Sequence, residues 1–265
     1  MPYPIALTIA GSDSGGGAGI QADLKAFSAL QVYGASVITA ITAQNTRAVT
    51  AVQPLSPDMV VAQMDAVFDD LDVGAIKIGM LGGSDVITAV AARLKGTSIP
   101  IVLDPVMVAK SGDALLPDDA VDALRDHLLP LATILTPNLP EAARLLGTHP
   151  AETPRQMTGQ AVALRALGPT HVLMKGGHAA GDICVDLLVG PQPLTLTAPR
   201  HGTKNTHGTG CSLSAAIAAG LAAGLPVPQA ISRAHGWLQG AITAADRLGV
   251  GHGHGPVHHF HEVWE

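Results

Sequence analysis

The segment 203–220 joins a polar, glycine-containing turn directly to an alanine-rich stretch with helical character. Gly208 and Gly210 flank Thr209 and let the backbone bend, so that successive N–H groups point into one concavity. A helix that begins near Thr209 to Ser212 adds unpaired N–H groups and the positive end of its dipole. The segment therefore predicts an anion site suited to phosphate. The plainer alternative is a loop that ends in a capped helix, because Ser and Thr are common caps.

Other candidate site residues fall at or just after the ends of predicted strands. In a parallel sheet the carboxyl ends of the strands share one edge, where binding sites collect. This spacing favours one shared crevice over scattered surface positions. The residues are Asp13, Gln44, Met80, Asp104, Asn138, Glu141 and Lys175.

The elements that would position these residues alternate regularly along the chain. Short apolar runs predict strands at 5–10, 35–43, 75–78, 99–103, 133–136 and 171–174. Amphipathic stretches predict helices at 20–32, 57–71, 84–94, 117–129, 140–146 and 154–167, and segments 183–189 and 194–197 predict a hairpin. This order predicts an α/β protein with a mainly parallel sheet and helices on both faces. Without a visible linker or repeat, we expect one domain over residues 1–265.

Composition indicates which kind of partner the protein binds and in which compartment it acts. The net charge of −6 and the lack of a basic run argue against a nucleic-acid groove and favour a small-molecule partner. Two distant cysteines suggest neither a disulfide framework nor a zinc site, which fits the cytoplasm. The longest apolar tract, 213–227, contains glycines and a proline and is too short to span a bilayer, so no membrane association is expected.

Several motifs resemble a known family. The segment NTHGTGC at 205–211 resembles the Gly-Thr-Gly-Asp motif of ribokinase-like sugar and vitamin kinases, with Cys in place of Asp. In this form it is similar to that of the bacterial hydroxymethylpyrimidine/phosphomethylpyrimidine kinases of thiamine biosynthesis. The resemblance covers nearly the whole chain and extends to AGSDSGGGAGIQADLK at 10–25, TAQNT at 42–46, KIGM at 77–80, TPNLPE at 136–141, KGGH at 175–178 and GPVHHFH at 255–261.

The resemblance implies a ribokinase-like three-layer α/β sandwich that uses ATP and Mg²⁺. It implies phosphorylation of 4-amino-5-hydroxymethyl-2-methylpyrimidine and then of its monophosphate. Asp104 and Glu141 are the acids expected around Mg²⁺ and its waters, since Mg²⁺ prefers few carboxylates. Lys175, as a flexible point charge, and Asn138 are expected at the nucleotide. The alternatives are a solvated loop acid for Asp104, a helix-start acid for Glu141 and a solvated lysine for Lys175.

The resemblance places the acceptor ring against Gln44, whose amide offers an acceptor and two donors to a ring nitrogen beside an exocyclic amine. Gly11 would approach the ring closely and Met80 would form an adaptable apolar wall, although Met80 is also typical of core packing. Val106 is assigned to the same pocket. Asp13 is a weaker candidate, because it suits a bond to a turn amide as well as one to substrate.

Cys211 stands where most of the superfamily has Asp as general base, and Gly208, Thr209 and Gly210 complete the catalytic group. A thiol at a helix N-terminus beside a basic group can be partly thiolate and accept a proton. The alternative is a small buried thiol that fills space. His207, inside the anion loop, could shape that loop or add charge. The histidine-rich segment 252–261 is interpreted as native packed or surface structure rather than a metal site or a tag.

Two other functions remain open at this point. The first is a pyridoxal or pyridoxine kinase of vitamin B6 salvage, because relatives with the same Gly-Thr-Gly-Cys ending use that ring; Gln44 with Met80 favours the pyrimidine. The second is a nucleotide- or pyrimidine-binding protein without catalysis. The family also implies a homodimer, for which shielding of an edge strand offers a physical motive.

Overall fold

The computed structural model describes residues 3–107, 116–177 and 181–264. Within them the strands form one nine-stranded sheet in the order β3-β2-β1-β4-β5-β6-β7-β8-β9. The neighbours from β2 to β7 pair in parallel, whereas β3, β8 and β9 join through antiparallel pairs. The strands are β1 (Ile5–Asp13), β2 (Tyr33–Gln44), β3 (Val49–Pro54), β4 (Ala75–Ile78), β5 (Ile101–Leu103), β6 (Ile134–Leu135), β7 (His171–Met174), β8 (Ile183–Val189) and β9 (Leu194–Pro199).

Helices cover both faces of this sheet, so the predicted α/β architecture is confirmed. The helices are α1 (Gly19–Ala29), α2 (Pro57–Asp70), α3 (Ser84–Leu94), α4 (Asp118–Ala123), α5 (Leu139–Leu146), α6 (Pro154–Arg165), α7 (Thr209–Ala222) and α8 (Val227–Thr243). The hairpin of β8 and β9 is confirmed as an antiparallel pair. Helix α8 was not predicted.

Alternation along the buried strands divides the core into two layers. In β4, Ile76 and Ile78 pack into the layer beneath α2, α3 and α6, while Ala75 faces the layer with α1, α7 and α8. All four residues of β4 are buried, as expected of a parallel strand covered on both faces. Small side chains of α7 let this helix lie close to the sheet, and its N-terminus meets the carboxyl edge of the strands.

Two local predictions differ from the structure. Strand β3 was not predicted, because it is largely exposed and lacks the apolar alternation of a strand packed on one face. The single helix predicted over 117–129 is instead α4, followed by a π-helical segment at Leu124–Leu128 and a 3₁₀ turn at Leu129–Leu131. Pro130 explains the change: it lacks an N–H and its ring disfavours regular α-helix in the preceding turn.

The histidine-rich C-terminal segment packs against the helices, as predicted for its buried members. His258 and His259 are both buried, and the ring of His259 lies 2.9 Å from the hydroxyl of Ser212 on α7. The backbone N–H of His258 donates to the carbonyl of Ala241 on α8. This segment therefore joins the two helices next to the anion loop.

Burial of His259 makes stability depend on pH. Burial, with a smaller contribution from the charge of Lys25, lowers the pKa of His259 to about 3. The unfolded chain then binds a proton that the folded chain excludes, so stability is lost as pH falls below about 6.5. We expect this residue to remove about 1 kcal/mol of unfolding free energy per pH unit in that range. Urea unfolding at pH 7.0 and 5.5 gives the change in unfolding free energy with pH for the wild type and for His259→Gln. The difference between these two changes is the contribution of His259.

The matched control is His127→Gln, which removes an exposed histidine from the π-helical segment and should keep the wild-type pH slope. Parallel pH dependences for wild type and His259→Gln would contradict the assignment.

Candidate active site

A cavity of about 870 Å³ lies at the carboxyl edge of the sheet, beside the N-terminus of α7. Its volume falls within the range typical of small-molecule sites. All the candidate site residues predicted from the sequence line this cavity: Gly11, Asp13, Gln44, Met80, Asp104, Val106, Asn138, Glu141, Lys175, Gly208, Thr209, Gly210 and Cys211. The inference of one shared crevice is therefore confirmed, and the role of each residue stays a prediction.

The anion loop has the backbone geometry that its glycines predict. Gly208 has φ +77° and precedes α7, which begins at Thr209. A Cβ at Gly208 would lie 1.8 Å from the carbonyl oxygen of Gly17, so the two glycine-containing loops touch backbone to backbone. The N–H of Ser212 donates to the carbonyl of Gly208 at 2.8 Å, which starts the helix. This arrangement directs the first N–H groups of α7 toward the cavity.

A buried cluster of acids and a lysine faces the anion loop. Lys175 Nζ lies 2.9 Å from Asp104 and 4.0 Å from Glu141. A Cβ at Gly210 would lie 3.3 Å from Lys175 Nζ and 3.5 Å from Asp104, so glycine allows close approach. Asp104 also accepts hydrogen bonds from the hydroxyls of Thr136 and Ser214, at 3.2 and 3.3 Å. These partners exclude a freely solvated role for Asp104 and Lys175.

Glu141 has both the helix-start role and a place in the cavity. Asn138 Oδ1 accepts from the N–H of Glu141 at 2.9 Å, and Glu141 Oε2 accepts from the N–H of Asn138 at 2.8 Å. This capping box begins α5 and fixes both side chains. Burial raises the pKa of Glu141 to about 7, against the attraction of Lys175.

The other end of the cavity presents a small polar and apolar pocket. The N–H of Gly11 donates to the carbonyl of Met80 at 3.0 Å, and a Cβ at Gly11 would lie 2.5 Å from the Met80 methyl. Met80 is half-buried and faces the cavity rather than the core. Gln44 ends β2, and its amide contacts Thr42. Glycine at position 11 thus leaves room for the Met80 methyl, which packs against the backbone at this end of the cavity.

Asp13 bonds turn amides, which is the alternative to substrate binding considered for it. Its carboxylate accepts from the N–H groups of Gly15, Gly17 and Ala18, and lies 2.8 Å from the ring of His207. Burial opposes ionisation of Asp13, but the hydrogen bonds and the charge of His207 outweigh it and lower the pKa. His207 therefore shapes the anion loop by tying it to the loop after β1.

Cys211 lies in the first turn of α7, but it differs from the expected partial thiolate. Burial raises the pKa of its thiol to about 11, and the attraction of the nearby cation Lys77 does not compensate. A thiol with this pKa is neutral at pH 7. Desolvation of the charged form is the largest cause, and the nearby carboxylates Asp23 and Asp104 disfavour a thiolate further.

Sequence reasoning missed a buried ion pair at the floor of the cavity. Lys77 Nζ lies 2.7 Å from Asp23, both side chains are fully buried, and Thr8 donates to the same carboxylate oxygen. Burial opposes the charge of Lys77, but the attraction of Asp23 outweighs it and raises the Lys77 pKa. The available signal was a lysine inside the four-residue apolar strand β4, where a charge requires a partner.

The far end of the cavity was also missed. It is lined by residues of the hairpin, of the segment that follows β9 and of α8, among them Asp186, Arg200, His235 and Gln239. Asp186 accepts from the N–H of Gly176, directly after Lys175. These residues carried no sequence signal, because a hairpin and an unpredicted helix meet there only in the fold. His178 of the KGGH motif lies outside the described residues.

Among the described residues, no helix is long and apolar enough to cross a bilayer. The sequence model of the family described as phosphomethylpyrimidine kinase matches residues 13–258. A hydroxymethylpyrimidine/phosphomethylpyrimidine kinase of Rhizobium meliloti is 60% identical over 262 residues, which are 98% of each chain. A thiamine biosynthesis bifunctional protein of Geobacter sulfurreducens is 48% identical over 97% of this chain and 53% of its own length.

A solved kinase structure shares the fold of this chain. The pyridoxal kinase of Staphylococcus aureus in complex with AMP-PCP and pyridoxal superposes with a TM-score of 0.90 at 32% identity, over 99% of this chain and 96% of that one. The expected ribokinase-like fold is therefore confirmed. With a family match over most of its length and a relative at 60% identity, the chain belongs to the phosphomethylpyrimidine kinase family.

Proposed function

We propose that this chain transfers a phosphoryl group from ATP to 4-amino-5-hydroxymethyl-2-methylpyrimidine and then to the resulting monophosphate, as a step of thiamine biosynthesis. The observation that carries the proposal is the shared cavity, in which the anion loop faces both the Asp104–Lys175 pair and the Gln44 pocket. Because the chain belongs to a kinase family, a binding protein without catalysis is the less favoured alternative. The relatives named as pyrimidine kinases support the acceptor.

Each part of the cavity has a defined task in the proposed reaction. The N–H groups from Gly208 to Cys211 stabilise the transferring phosphoryl group, and Lys175 contacts a nucleotide phosphate. Gln44 holds the ring, with Met80 as its apolar wall. Phosphoryl transfer asks the protein chiefly for positioning and charge stabilisation, which this arrangement supplies without a covalent intermediate.

The residues present fit Mg²⁺ held mainly by phosphates and water. The described residues contain no group of three or more His, Cys, Asp or Glu side chains that could hold a metal, but Asp104 and Glu141 both line the cavity near Lys175. Two carboxylates suit an ion that keeps several of its waters. When bound, Mg²⁺ neutralises charge that develops on the phosphates.

A neutral Cys211 suits a kinase with two successive acceptors. The alcohol needs to lose a proton, whereas the monophosphate is already anionic and needs no base. A carboxylate at position 211 would repel the second acceptor. We therefore expect Cys211→Asp to lower kcat/KM for the monophosphate at least about 10-fold more than kcat/KM for the alcohol, since one close like-charge contact costs about 1.4 kcal/mol or more.

Steady-state kinetics with each acceptor separately measures this ratio. Cys211→Ser, which changes the side chain without adding charge, serves as the matched control and should keep the wild-type ratio. Equal losses for both acceptors in Cys211→Asp would contradict the electrostatic argument.

The competing function is phosphorylation of pyridoxal, supported by the fold shared with the Staphylococcus aureus enzyme. A coupled ATPase assay with Mg²⁺ and the pyrimidine alcohol, its monophosphate and pyridoxal in parallel separates the two. Turnover of both pyrimidines with little turnover of pyridoxal is the expected result. Turnover of pyridoxal alone would overturn the proposal while leaving the phosphate site in place.

Three further features are also proposals. Residues 1–265 form one kinase domain, which the continuous sheet from β3 to β9 supports. The protein acts as a homodimer, for which the exposed edge strand β3 gives a motive. It acts in the cytoplasm without nucleic acid, consistent with its net charge of −6 and free cysteines.

A further inference from the structure

The side-chain amide of Gln44 lies between two groups, one of which can accept a hydrogen bond from it while the other can only donate. The structure places Gln44 Oε1 3.1 Å from the hydroxyl of Thr42 and Gln44 Nε2 3.4 Å from His207 Nε2. The two ends of an amide have nearly the same shape, so the hydrogen-bonding partners decide which end is oxygen and which is nitrogen.

The His207 side requires the amide oxygen. Asp13, with its lowered pKa and three backbone N–H donors, is a carboxylate and can only accept hydrogen bonds. His207 Nε2 lies 2.8 Å from that carboxylate and therefore carries the hydrogen. That hydrogen is donated to Asp13, and the positive N–H edge of the ring favours the amide oxygen over a second N–H donor at 3.4 Å.

The Thr42 side requires the amide nitrogen. The hydroxyl of Thr42 has one hydrogen and two acceptors within reach, the carbonyl of Ser12 at 2.8 Å and Gln44 Oε1 at 3.1 Å, and the shorter contact takes the hydrogen. Its lone pairs are then left for Gln44, and a lone pair needs an N–H partner. Two independent contacts thus select the same orientation, with the two amide atoms exchanged relative to the placement given above.

We propose that Thr42 and the Asp13–His207 pair lock the Gln44 amide with nitrogen toward Thr42 and oxygen toward His207, and that this lock selects the acceptor ring. The inference rests on the proposed function, in which Gln44 holds the ring. The locked amide presents a donor on one side and an acceptor on the other. It complements a ring nitrogen beside an exocyclic amine and opposes the reverse pattern, a ring N–H beside a carbonyl.

The lock also sets the direction of the reacting group. In the proposed orientation the oxygen of Gln44 faces His207, which directly precedes Gly208 of the anion loop. The ring amine therefore lies on the side of the anion loop, with the ring nitrogen toward Thr42. In the proposed substrate the hydroxymethyl carbon is attached to the ring atom next to the amine-bearing one, on the side away from that ring nitrogen. Its hydroxyl thus points toward the phosphate site, whereas the reversed amide would turn it away.

The test compares two ligands by calorimetry in the absence of ATP. One is the aminopyrimidine alcohol, and the other is the analogue whose amine is replaced by a carbonyl oxygen, so that the adjacent ring nitrogen carries hydrogen. We expect the wild type to bind the amine about 100-fold more tightly, since two mismatched contacts each cost about 1 to 3 kcal/mol. Thr42→Val removes one side of the lock and should reduce the ratio of the two dissociation constants about 10-fold.

Two matched variants make the result specific. Thr42→Ser keeps the hydroxyl and should restore the ratio. Thr50→Val removes a hydroxyl that bonds the carbonyl of Ala43, next to Gln44 in the chain, without touching the amide, and should leave the ratio unchanged. Thermal unfolding of each variant verifies that it is folded.

Distinct outcomes overturn the lock and the proposed function. The lock is overturned if the wild type binds both ligands equally, or if folded Thr42→Val keeps the wild-type ratio of dissociation constants. In either case, phosphorylation of the aminopyrimidine would still uphold the proposed function. A wild type that neither binds nor phosphorylates the aminopyrimidine overturns both. Because the first comparison uses the unaltered protein, it decides the question even where a variant fails to fold.

Discussion

Asp104→Asn is expected to lower kcat about 10²- to 10³-fold, the range for loss of one preorganised charge-stabilising group. The amide keeps the shape of the carboxylate but not the charge that lies 2.9 Å from Lys175 Nζ. Among the described residues, the acidic partner that Lys175 would retain is Glu141, at 4.0 Å, and its ammonium would no longer be held against Gly210. The proposed support for Mg²⁺ and its waters would be weakened at the same time. Steady-state assays at saturating ATP and Mg²⁺ measure the effect.

The matched control for this substitution is Asp65→Asn. Asp65 forms an exposed ion pair with Arg93, remote from the cavity lining, and exposed pairs contribute about 0 to 1 kcal/mol. It should retain wild-type kcat. Circular dichroism verifies that Asp104→Asn is folded, since breaking a buried pair is costly. A folded Asp104→Asn protein with kcat within a few-fold of wild type would remove Asp104 from the proposed mechanism.

Gly208→Ala is expected to lower kcat/KM for ATP at least about 100-fold and to destabilise the fold, because a misplaced anion loop loses its aligned donors. The new Cβ would lie 1.8 Å from the carbonyl oxygen of Gly17, a backbone atom that cannot move without shifting the loop after β1. The positive φ of +77° adds strain of about 1 kcal/mol. Kinetics with varied ATP and urea unfolding measure the two effects.

Gly224→Ala separates the clash from the backbone strain. Gly224 has φ +81°, but a Cβ there would meet no atom within 4 Å. This variant should lose about 1 kcal/mol of unfolding free energy and keep its activity. If Gly208→Ala behaved like Gly224→Ala, the contact between the two glycine-containing loops would not position the phosphate site.

The general architecture could be predicted because its causes are local. Strand β4 and helix α3 were predicted with their observed bounds, since apolar periodicity and chain breakers act over a few residues. The α7 N-terminus was found for the same reason, because two glycines and a small-residue helix describe it without reference to the rest of the chain. Strand β3, which is exposed and stabilised by pairing with β2, had no such local signal.

The sequence by itself determined the fold class, the family and the candidate residues at the cavity, because strand ends and glycine turns are encoded in short segments. Only the tertiary structure decided how those residues interact. The neutral thiol of Cys211 results from burial, the Lys77–Asp23 pair joins residues 54 positions apart, and the contact of Asp13 with His207 spans 194 positions. Desolvation and hydrogen bonding depend on which groups lie close together in space. Groups far apart in the chain come together only when the folded sheet brings their segments to the same edge.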